Sequence, residues 1–294
     1  MTNRHSGEIA GFIAGARASV AAQHPALVEV FETYANEAEF GLSIIEEDLG
    51  GLPEGATILE IGAGILLLSG YLSSRGFRVY ALEPIEAGFS HFRELQDAMK
   101  GHYESLRLSL PVIESTIEDY PDEDRFDYAF SINVFEHIED IERGLSSAYR
   151  ALKPGGTLRV YCPNYRFPYE PHFNIPTLGS KRLTEALFNS SIMGSAQVLD
   201  PRKTWEGLNW INVGRVKRVF RARFGVIPAF NRSATYGIVA RTLSDRRFNA
   251  RRSPWISAAL RAIDRVGLMR LFKLFPVSLA PVMDFRVRRG GPIR

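Results

Sequence analysis

Cysteine is almost absent from this chain of 294 residues, which contains only Cys162. A single thiol excludes an internal disulfide and any zinc site built from several cysteines. Because Cys162 ends a run that reads as a buried strand, we expect a core thiol rather than a nucleophile. The chain also lacks a run of about 18 uncharged apolar residues, which argues against a membrane-spanning helix.

Acidic residues are scarce in the last third of the chain. Residues 201–294 contain 21 Lys and Arg but only 4 Asp and Glu, whereas residues 1–200 contain 15 basic and 29 acidic residues. The two parts therefore carry net charges of +17 and −14, within an overall charge of +3. Such asymmetry predicts an anionic partner for the basic part. Nucleic acid, an anionic membrane surface and a phosphorylated substrate all carry that charge.

A short apolar run followed by closely spaced glycines occupies residues 57–72. The run contains Glu60, two glycines follow at Gly62 and Gly64, and an apolar segment of helical length comes next. This order predicts a strand, a tight turn and a helix, as in nucleotide-binding α/β folds. Glycine has no Cβ, so it allows backbone conformations closed to other residues and lets a ligand approach the main chain.

A second acidic residue, Glu83, ends the next strand-like run, which begins at Arg78. It follows the glycines by about 20 residues, a spacing at which a carboxylate can accept hydrogen bonds from ribose hydroxyls. The two acidic residues and the glycines therefore suit a ligand that has a cationic amino acid part and a ribose.

The segment around the glycines resembles motif I of the class I S-adenosylmethionine (SAM) methyltransferases, an acidic residue followed by Gly-x-Gly. In that family the loop packs under the cofactor and the second acidic residue binds the ribose. The resemblance implies SAM as the cofactor, held around this turn by Glu60, Gly62, Ala63, Gly64, Glu83 and Pro84. The frequent third glycine of the family is Leu66 here. The third glycine of the dinucleotide pattern would fall at Leu67, which disfavours the alternative of a nicotinamide-dependent enzyme.

Residues 126–140 read as a fourth strand that runs into a loop and a helix. The run at residues 126–134 is mostly apolar, as expected for a central parallel strand buried on both faces. It resembles motif IV of methyltransferases of the ubiquinone-biosynthesis type, in which a Phe-Asp strand leads into an apolar-Glu-His segment. The matching residues are Asn133, Phe135, Glu136 and His137. The resemblance implies that this strand end lies beside the methionine part of SAM, with Asn133 and Phe135 as cofactor contacts.

The sequence Leu-Lys-Pro-Gly-Gly at residues 152–156 is also typical of this family. Pro154 presets φ and Gly155 accepts a positive φ, so we predict a type II turn. The turn would join a helix at residues 141–152 to a fifth strand at residues 157–162.

Residues 112–121 resemble the loop on the adenine side of the family's cofactor site. There the resemblance implies that Ile117 supplies backbone contacts to the adenine. Thr116 stands where the family usually has an acidic residue, which leaves the contact to the exocyclic amine open.

The resemblance covers residues 30–165 and implies an α/β fold with a Rossmann-like, seven-stranded, mostly parallel sheet flanked by helices. We divide the chain into an N-terminal helical cap (residues 1–52), a SAM-binding core (53–176) and a substrate-side insertion with a basic C-terminal region that completes the sheet (177–294). In the cap we expect an apolar helical stripe formed by Phe31, Tyr34, Phe40 and Ile44. Plain core packing explains these four residues equally well.

Residues 163–176 contain four prolines and four aromatic residues. Proline removes hydrogen-bond donors and fixes φ, so we expect an irregular loop at the carboxyl end of a strand, where α/β folds bind ligands. Glu170 and His172 would point to the same face of an extended stretch. We predict that His172 takes the proton of an acceptor hydroxyl while Glu170 orients its ring; the alternative is two ordinary polar residues. His137 is a second candidate base, and we expect no metal.

Two predicted helices in the basic part, at residues 213–224 and 255–274, combine cationic residues with an apolar stripe. A helix of this kind can lie on an anionic surface, although a solvated cationic face is the alternative. The aromatic residues mixed with the charges favour a membrane surface over nucleic acid: Trp255, Phe272 and Phe275. The sequence contains no recognised nucleic-acid-binding module.

Near the end of the chain, apolar and basic residues alternate at residues 285–288, which predicts a late antiparallel strand of the sheet.

Together these features predict methyl transfer from SAM to a small-molecule, glycan or lipid-linked acceptor. We favour a nucleophilic oxygen as the methylated atom, with nitrogen and carbon as the alternatives. The competing hypothesis is a non-catalytic SAM-binding subunit that the basic C-terminal region attaches to an anionic surface. In either case we expect a cytoplasmic protein, peripheral on the inner face of the membrane.

Overall fold

The computed structural model of the protein describes residues 2–84, 90–196, 198, 200–250 and 254–291. The chain divides into two compact units, and each unit is built from two stretches of sequence. Unit 1 comprises Met1–Ile132 and Ser147–Arg159, and unit 2 comprises Asn133–Ser146 and Val160–Arg294. The predicted three-part division of the sequence stays a prediction.

One seven-stranded sheet is present in the described part of the chain. Its strands are β1 (Thr57–Ile61), β2 (Arg78–Leu82), β3 (Val112–Ile113), β4 (Phe126–Ile132), β5 (Leu152–Pro163), β6 (Ala229–Phe230) and β7 (Val282–Arg288). Their order is β3-β2-β1-β4-β5-β7-β6. β1 pairs in parallel with β2 and β4, β2 pairs in parallel with β3, and β6 and β7 are antiparallel. The predicted Rossmann-like, mostly parallel sheet is therefore confirmed. Its strand order reverses beside β1, where such sheets bind ligands.

The helices flank this sheet as the fold class predicts. They are α1 (Thr2–Gln23), α2 (Val28–Leu49), α3 (Leu67–Ser74), α4 (Ser90–Ser105), α5 (Ile141–Arg150), α6 (Lys181–Met193), α7 (Pro201–Gly207), α8 (Val213–Phe224), α9 (Ala234–Ser244), α10 (Arg246–Ala250) and α11 (Pro254–Arg265). Short 3₁₀ helices occur at Pro25–Leu27, Phe135–His137, Leu268–Leu274 and Val277–Leu279. Among the described residues, no helix combines the length and hydropathy that a bilayer crossing requires.

The N-terminal helices α1 and α2 pack on the core of unit 1, as expected for the predicted helical segment. The buried face of α2 consists of Phe31, Ala35, Ala38, Gly41, Leu42 and Ile45. Phe31 lies on this face as predicted, whereas Tyr34, Phe40 and Ile44 are only partly buried. A helix with 3.6 residues per turn places residues 31, 35, 38, 42 and 45 on one face, whereas residues 34, 40 and 44 lie beside that face.

A buried ion pair joins α2 to the sheet of unit 1. Oδ2 of Asp48 accepts hydrogen bonds from Nη1 of Arg159 at 2.9 Å and from the Tyr128 hydroxyl at 2.8 Å. The Arg159 side chain is 5% exposed and that of Asp48 is 12% exposed. Because both charges have lost most of their hydration, each depends on the other for stability.

The structure differs from the predicted elements at two glycines. Residues 152–156 belong to β5 and do not form a separate turn, although Gly155 has the expected positive φ, 84°. The predicted helix at residues 255–274 ends at Arg265, because Gly267 adopts a φ of 72° and a 3₁₀ helix follows. A left-handed residue ends an α-helix, and glycine adopts that conformation without a Cβ clash.

Candidate functional site

The glycine loop, residues 62–66, connects β1 to α3 in unit 1. The backbone N–H groups of Gly62 and Ala63 both donate to the carbonyl of Leu82, at 2.8 and 3.2 Å. Gly62 has a φ of 77° and Gly64 a φ of 52°, values that residues with a Cβ rarely adopt. The two glycines therefore permit the bend that the sequence predicted.

Leu66, at the end of the glycine loop, adopts a left-handed φ of 69° although it carries a side chain. It occupies the position of the third glycine in the resembling family. Its side chain is fully buried, and its carbonyl accepts a 2.9 Å hydrogen bond from the Tyr103 hydroxyl. The left-handed backbone costs about 1–2 kcal/mol. Burial of the leucine side chain contributes about 1.5–3 kcal/mol, enough to offset that cost.

Glu83 lies directly against the glycine loop. Its Oε2 accepts a 2.8 Å hydrogen bond from the Gly64 N–H, and the Gly64 carbonyl accepts one from Nε2 of Gln96 at 2.6 Å. Burial raises the pKa of Glu83 to about 7, and the hydrogen bond from Gly64 opposes this rise. The structure thus brings the predicted ribose-binding acid to the loop, and it adds Gln96, which no motif indicates.

Glu60 is buried at the end of β1, 8% exposed, and accepts a hydrogen bond from the Ser69 hydroxyl on α3. Burial raises its pKa to about 8; the Ser69 hydrogen bond lowers it, and the charge of Glu83 raises it further. The parallel register pairs Glu60 with Ala81 and Ile61 with Leu82, so Glu60 and Glu83 lie near the carboxyl ends of adjacent strands. A cationic group bound beside them would favour their ionised forms.

The adenine-side residues also lie in unit 1. Ile117 is buried, and the Thr116 hydroxyl donates to Oδ2 of Asp119 at 3.0 Å while accepting from the Asp119 N–H at 3.2 Å. The family usually has an acidic residue at the position of Thr116; here the carboxylate bonded to Thr116 belongs to Asp119, three residues later. Pro84 is half-buried at the last described position before residues 85–89.

The segment after β4 belongs to unit 2 and holds the other predicted cofactor contacts. Asn133 adopts a φ of 56°, and its N–H donates to the carbonyl of Tyr161 at 2.8 Å. Phe135 is fully buried. A non-glycine residue with a positive φ is uncommon and is enriched near functional sites.

Glu170 and His172 meet in the loop after β5. Glu170 pairs with Ile175 in an isolated antiparallel bridge, so a turn brings the two side chains together instead of the expected extended stretch. Nδ1 of His172 lies 2.6 Å from Oε1 of Glu170. The Glu170 carboxylate also accepts from the Phe173 N–H at 2.7 Å and the Tyr165 hydroxyl at 3.2 Å.

Glu170 is fully buried yet favours its ionised form. Burial opposes ionisation, but the hydrogen bonds and the charge of His172 outweigh it and hold the pKa of Glu170 below its usual value. When His172 is neutral, the ionised carboxylate accepts a hydrogen bond from its Nδ1–H, which leaves the lone pair of the ring on Nε2.

Glu136 and His137 follow β4 in the 3₁₀ helix Phe135–His137. Asn209 fixes this turn, because its Nδ2 donates to the carbonyls of Phe135 and Ile138 at 2.6 and 2.7 Å. The Asn209 N–H donates to the carbonyl of Glu136 at 2.9 Å. The turn is thus held at three carbonyls by one residue that sequence reasoning missed.

Glu136, His137 and His172 converge in unit 2, and with Glu170 we name them the histidine cluster. One ligand-type atom from each of the first three lies within 4.8 Å of the other two. The rings of His137 and His172 are edge to face, with centroids 5.2 Å apart. No motif spacing reveals this cluster, since its histidines come from different loops.

The cluster has unusual electrostatics. Burial raises the pKa of Glu136 to about 7, although His172 opposes the rise. Crowding of protein atoms around the His137 ring, and then the neighbouring His172, lower the pKa of His137, although the residue keeps an exposed surface. His137 is therefore neutral at physiological pH and offers a lone pair.

Aromatic side chains of unit 2 pack beside Tyr165. Trp210 stacks on the Tyr165 ring at 5.4 Å and meets Trp205 edge to face at 6.3 Å. Trp210 has a φ of 57°, and within the described part of the chain both indole N–H groups are buried without a partner. The sequence signal for this group is the pair of tryptophans that precede α8.

Comparison with known proteins identifies the family. A family model described as a methyltransferase domain matches residues 59–160. The uncharacterised protein Rv1509 of Mycobacterium tuberculosis (strain ATCC 25618 / H37Rv) is 39% identical over 292 residues, which cover 98% of this chain and 97% of that protein. The chain belongs to the class I SAM-dependent methyltransferases.

A further curated protein and a solved structure are similar to parts of this chain. A ubiquinone biosynthesis O-methyltransferase of Nitrobacter winogradskyi is 31% identical over 110 residues, 37% of this chain and 40% of that protein. The solved phosphoethanolamine N-methyltransferase 2 of Haemonchus contortus has a TM-score of 0.50 at 19% identity, over 86% of this chain and 52% of that chain. At that identity the second similarity shows the fold alone.

This methyltransferase is accordingly an enzyme, and SAM is its cofactor. The predicted SAM contacts of unit 1 surround the glycine loop or the turn at Thr116 and Ile117, while Asn133 and Phe135 belong to unit 2. Their assignment as contacts stays a prediction, as does the catalytic role of His172, Glu170 and His137.

Proposed function

We propose that this methyltransferase methylates an oxygen atom of a small-molecule, glycan or lipid-linked acceptor. In the reaction the bond between sulfur and the methyl carbon of SAM breaks, and a bond from the acceptor oxygen to that carbon forms. The sulfonium becomes a neutral thioether, and the acceptor hydroxyl loses its proton. Because the sulfonium is already activated, alignment and removal of this proton are the enzyme's main tasks.

The histidine cluster is the observation that supports an oxygen acceptor. Its two imidazoles, His137 and His172, are the groups in unit 2 to which we assign removal of the hydroxyl proton, and the 2.6 Å contact with Glu170 orients His172. A neutral amine needs no such base before it attacks a methyl group, whereas a hydroxyl does. The matched segment of the ubiquinone biosynthesis O-methyltransferase also favours oxygen, although it covers only 37% of this chain.

We also propose that the enzyme works at an anionic membrane surface, which suits a lipid-linked acceptor. Half of the ten exposed large apolar side chains of the described residues lie at residues 266–279, and Leu274 is 79% exposed. Exposed cations alternate with them at Arg265, Arg270 and Lys273. Apolar side chains that insert between head groups, together with cations that attract them, are the two features of a peripheral membrane contact.

The reaction is tested by incubating the enzyme and labelled SAM with aqueous and lipid extracts of the source cells, followed by mass spectrometry of the labelled product. We expect label in a hydroxyl-bearing glycan or lipid fraction. His172→Ala and His137→Ala should each lower the rate at least about 100-fold, since general base catalysis contributes about 10²–10⁴. His24→Ala is the matched control, because His24 lies in the turn that connects α1 to α2, outside the histidine cluster. Absence of label from every fraction would instead favour the non-catalytic SAM-binding subunit.

Membrane contact is tested by co-sedimentation with vesicles of phosphatidylglycerol or of phosphatidylcholine. We expect binding to the anionic vesicles only, and its loss in the double variant Leu271→Glu and Leu274→Glu. Leu187→Glu is the control, because Leu187 is 65% exposed on α6, outside this segment. Equal binding of all variants would contradict the proposed surface.

A further inference from the structure

Glu136 is a buried carboxylate that lacks a compensating hydrogen bond. Its side chain is 1% exposed, and neither Oε1 nor Oε2 has a hydrogen-bond partner among the described residues. Burial of a carboxylate without a partner costs several kcal/mol, so folded proteins pair such groups or place them on a metal ion. The carboxylate of Glu136 therefore indicates a ligand that supplies a positive charge or a proton.

The groups around Glu136 are ligand atoms that divalent transition metals prefer. One atom each from Glu136, His137 and His172 lies within 4.8 Å of the other two. Metal ligands at about 2.0–2.2 Å from an ion lie about 3–3.5 Å apart, so small side-chain rotations close this group around a cation. His137 is exposed, which gives an ion a route from solvent.

A carboxylate outside the group orients one of these ligands. Glu170 is fully buried, and its Oε1 lies 2.6 Å from Nδ1 of His172. In neutral His172 this contact leaves the lone pair on Nε2, the ring nitrogen that remains for a metal ion. A carboxylate that holds the far nitrogen of a metal-binding histidine is the usual support of such a ligand.

We propose that Glu136, His137 and His172 bind one divalent transition-metal cation, with Glu170 as the positioning residue of His172. One carboxylate and two imidazoles suit Zn²⁺, Co²⁺, Mn²⁺ or Fe²⁺, whereas Ca²⁺ and Mg²⁺ prefer oxygen ligands. Three protein ligands leave coordination positions open for a further oxygen. The proposal replaces the expectation from sequence that the protein holds no metal.

The role of the cation rests on the proposed function, although its binding does not. An acceptor hydroxyl bound at an open position has a lowered pKa, as water does on zinc. Its proton leaves to solvent, and the oxygen then attacks the methyl carbon. With the cation bound, Nε2 of His172 is a ligand, so the histidine cluster acts through the metal instead of through a free imidazole.

The test uses the full chain after treatment with a chelator and dialysis. Co²⁺ is titrated into it, and binding is followed by calorimetry and by the visible absorption of the cobalt ion. We expect one ion per chain and absorption typical of nitrogen and oxygen ligands. His137→Ala should weaken binding at least about tenfold, and Glu170→Gln should do so by about 10–100-fold through His172.

A fold check and one control variant complete the design. Because His137 is exposed, its truncation leaves the core intact, and circular dichroism verifies the fold of each variant. His24→Ala, which removes a half-buried histidine outside unit 2, should bind Co²⁺ as the wild type does. Failure of Co²⁺, Zn²⁺ and Mn²⁺ to bind, or equal affinity in the wild type and His137→Ala, overturns the proposed site.

Methylation assays on the same samples separate the two proposals. Loss of methylation on chelation and its recovery with added metal support both the site and its role. Methylation that is unaffected by the chelator overturns the metal's role and leaves O-methylation standing. Tight metal binding without methylation of any hydroxyl fraction supports the site and counts against the proposed acceptor class.

Discussion

The backbone N–H of Gly64 donates a 2.8 Å hydrogen bond to Oε2 of Glu83. This bond ties the glycine loop to the end of the neighbouring strand, because the parallel register places Ile61 opposite Leu82. The fold itself thereby orients the carboxylate, and less ordering is needed when a ribose binds.

Replacement of this carboxylate should weaken SAM binding. Glu83→Ala removes both the predicted ribose contact and the hydrogen bond to Gly64, and hydrogen bonds to charged groups contribute about 1.5–3 kcal/mol each. We therefore expect the Kd for SAM, measured by isothermal titration calorimetry, to rise at least about tenfold. Glu114→Ala, an exposed acid just after β3, should leave the Kd unchanged. Wild-type affinity in Glu83→Ala would count heavily against the cofactor assignment.

The stability of the ligand-free protein should fall between weakly acidic and weakly basic pH. The pKa of Glu60 is raised from 4.5 to about 8, so in this window the folded state binds more protons than the unfolded state. The free energy of unfolding therefore decreases as pH rises through it. Between pH 6 and pH 8, Glu60→Gln should lose about 1–2 kcal/mol less of its free energy of unfolding than the wild type, as measured by urea unfolding. If the free energy of unfolding changes with pH equally in the wild type and in Glu60→Gln, this role of Glu60 is refuted.

Glycine should be tolerated better than alanine at Leu66. Either variant loses the buried leucine side chain, at about 2–5 kcal/mol. Only Leu66→Ala keeps a Cβ at the left-handed φ of 69°, so Leu66→Gly should be more stable by about 1 kcal/mol. Leu72, buried within α3, is the control position. There the alanine variant should be more stable than the glycine variant by about 1 kcal/mol. Urea unfolding of the four variants measures both differences, and the same order at both sites would contradict the strain at Leu66.

Breaking the buried ion pair of Asp48 and Arg159 should lower the stability of the protein far more than breaking an exposed ion pair. Asp48→Ala removes the acceptor that lies 2.9 Å from Nη1 of Arg159, and breaking a buried pair costs about 3–5 kcal/mol. Arg202→Ala breaks the exposed contact to Glu206 on α7 and should cost less than about 1 kcal/mol. Thermal unfolding compares the two variants, and similar losses would show that burial of Arg159 is unimportant.

Segments whose signals are local were predictable. The helix predicted at residues 213–224 has these bounds in the structure, because Asn212 accepts a 3.0 Å hydrogen bond from the Arg215 N–H and Gly225 ends it with a φ of 68°. The turn after β1 was predictable for a similar reason, since Gly62 and Gly64 take conformations that other residues avoid.

The limits of local signals appear at Leu66 and Gly267. No residue preference predicts a left-handed leucine, because the conformation is stabilised by burial against distant parts of unit 1. The apolar periodicity continues past Gly267 and predicts a helix there. The φ of 72° at Gly267 ends α11 there, a choice that glycine permits without requiring.

Residue order alone was enough to identify a SAM methyltransferase, because the bend between β1 and α3 and the acid at Glu83 arise from short-range constraints on backbone and spacing. Long-range packing was needed to bring Glu136 and His137 to His172, which lies on a separate loop. It was also needed to bury Glu136 without a hydrogen-bond partner among the described residues. Burial and the meeting of distant side chains depend on how the chain folds back on itself, and no local pattern encodes them.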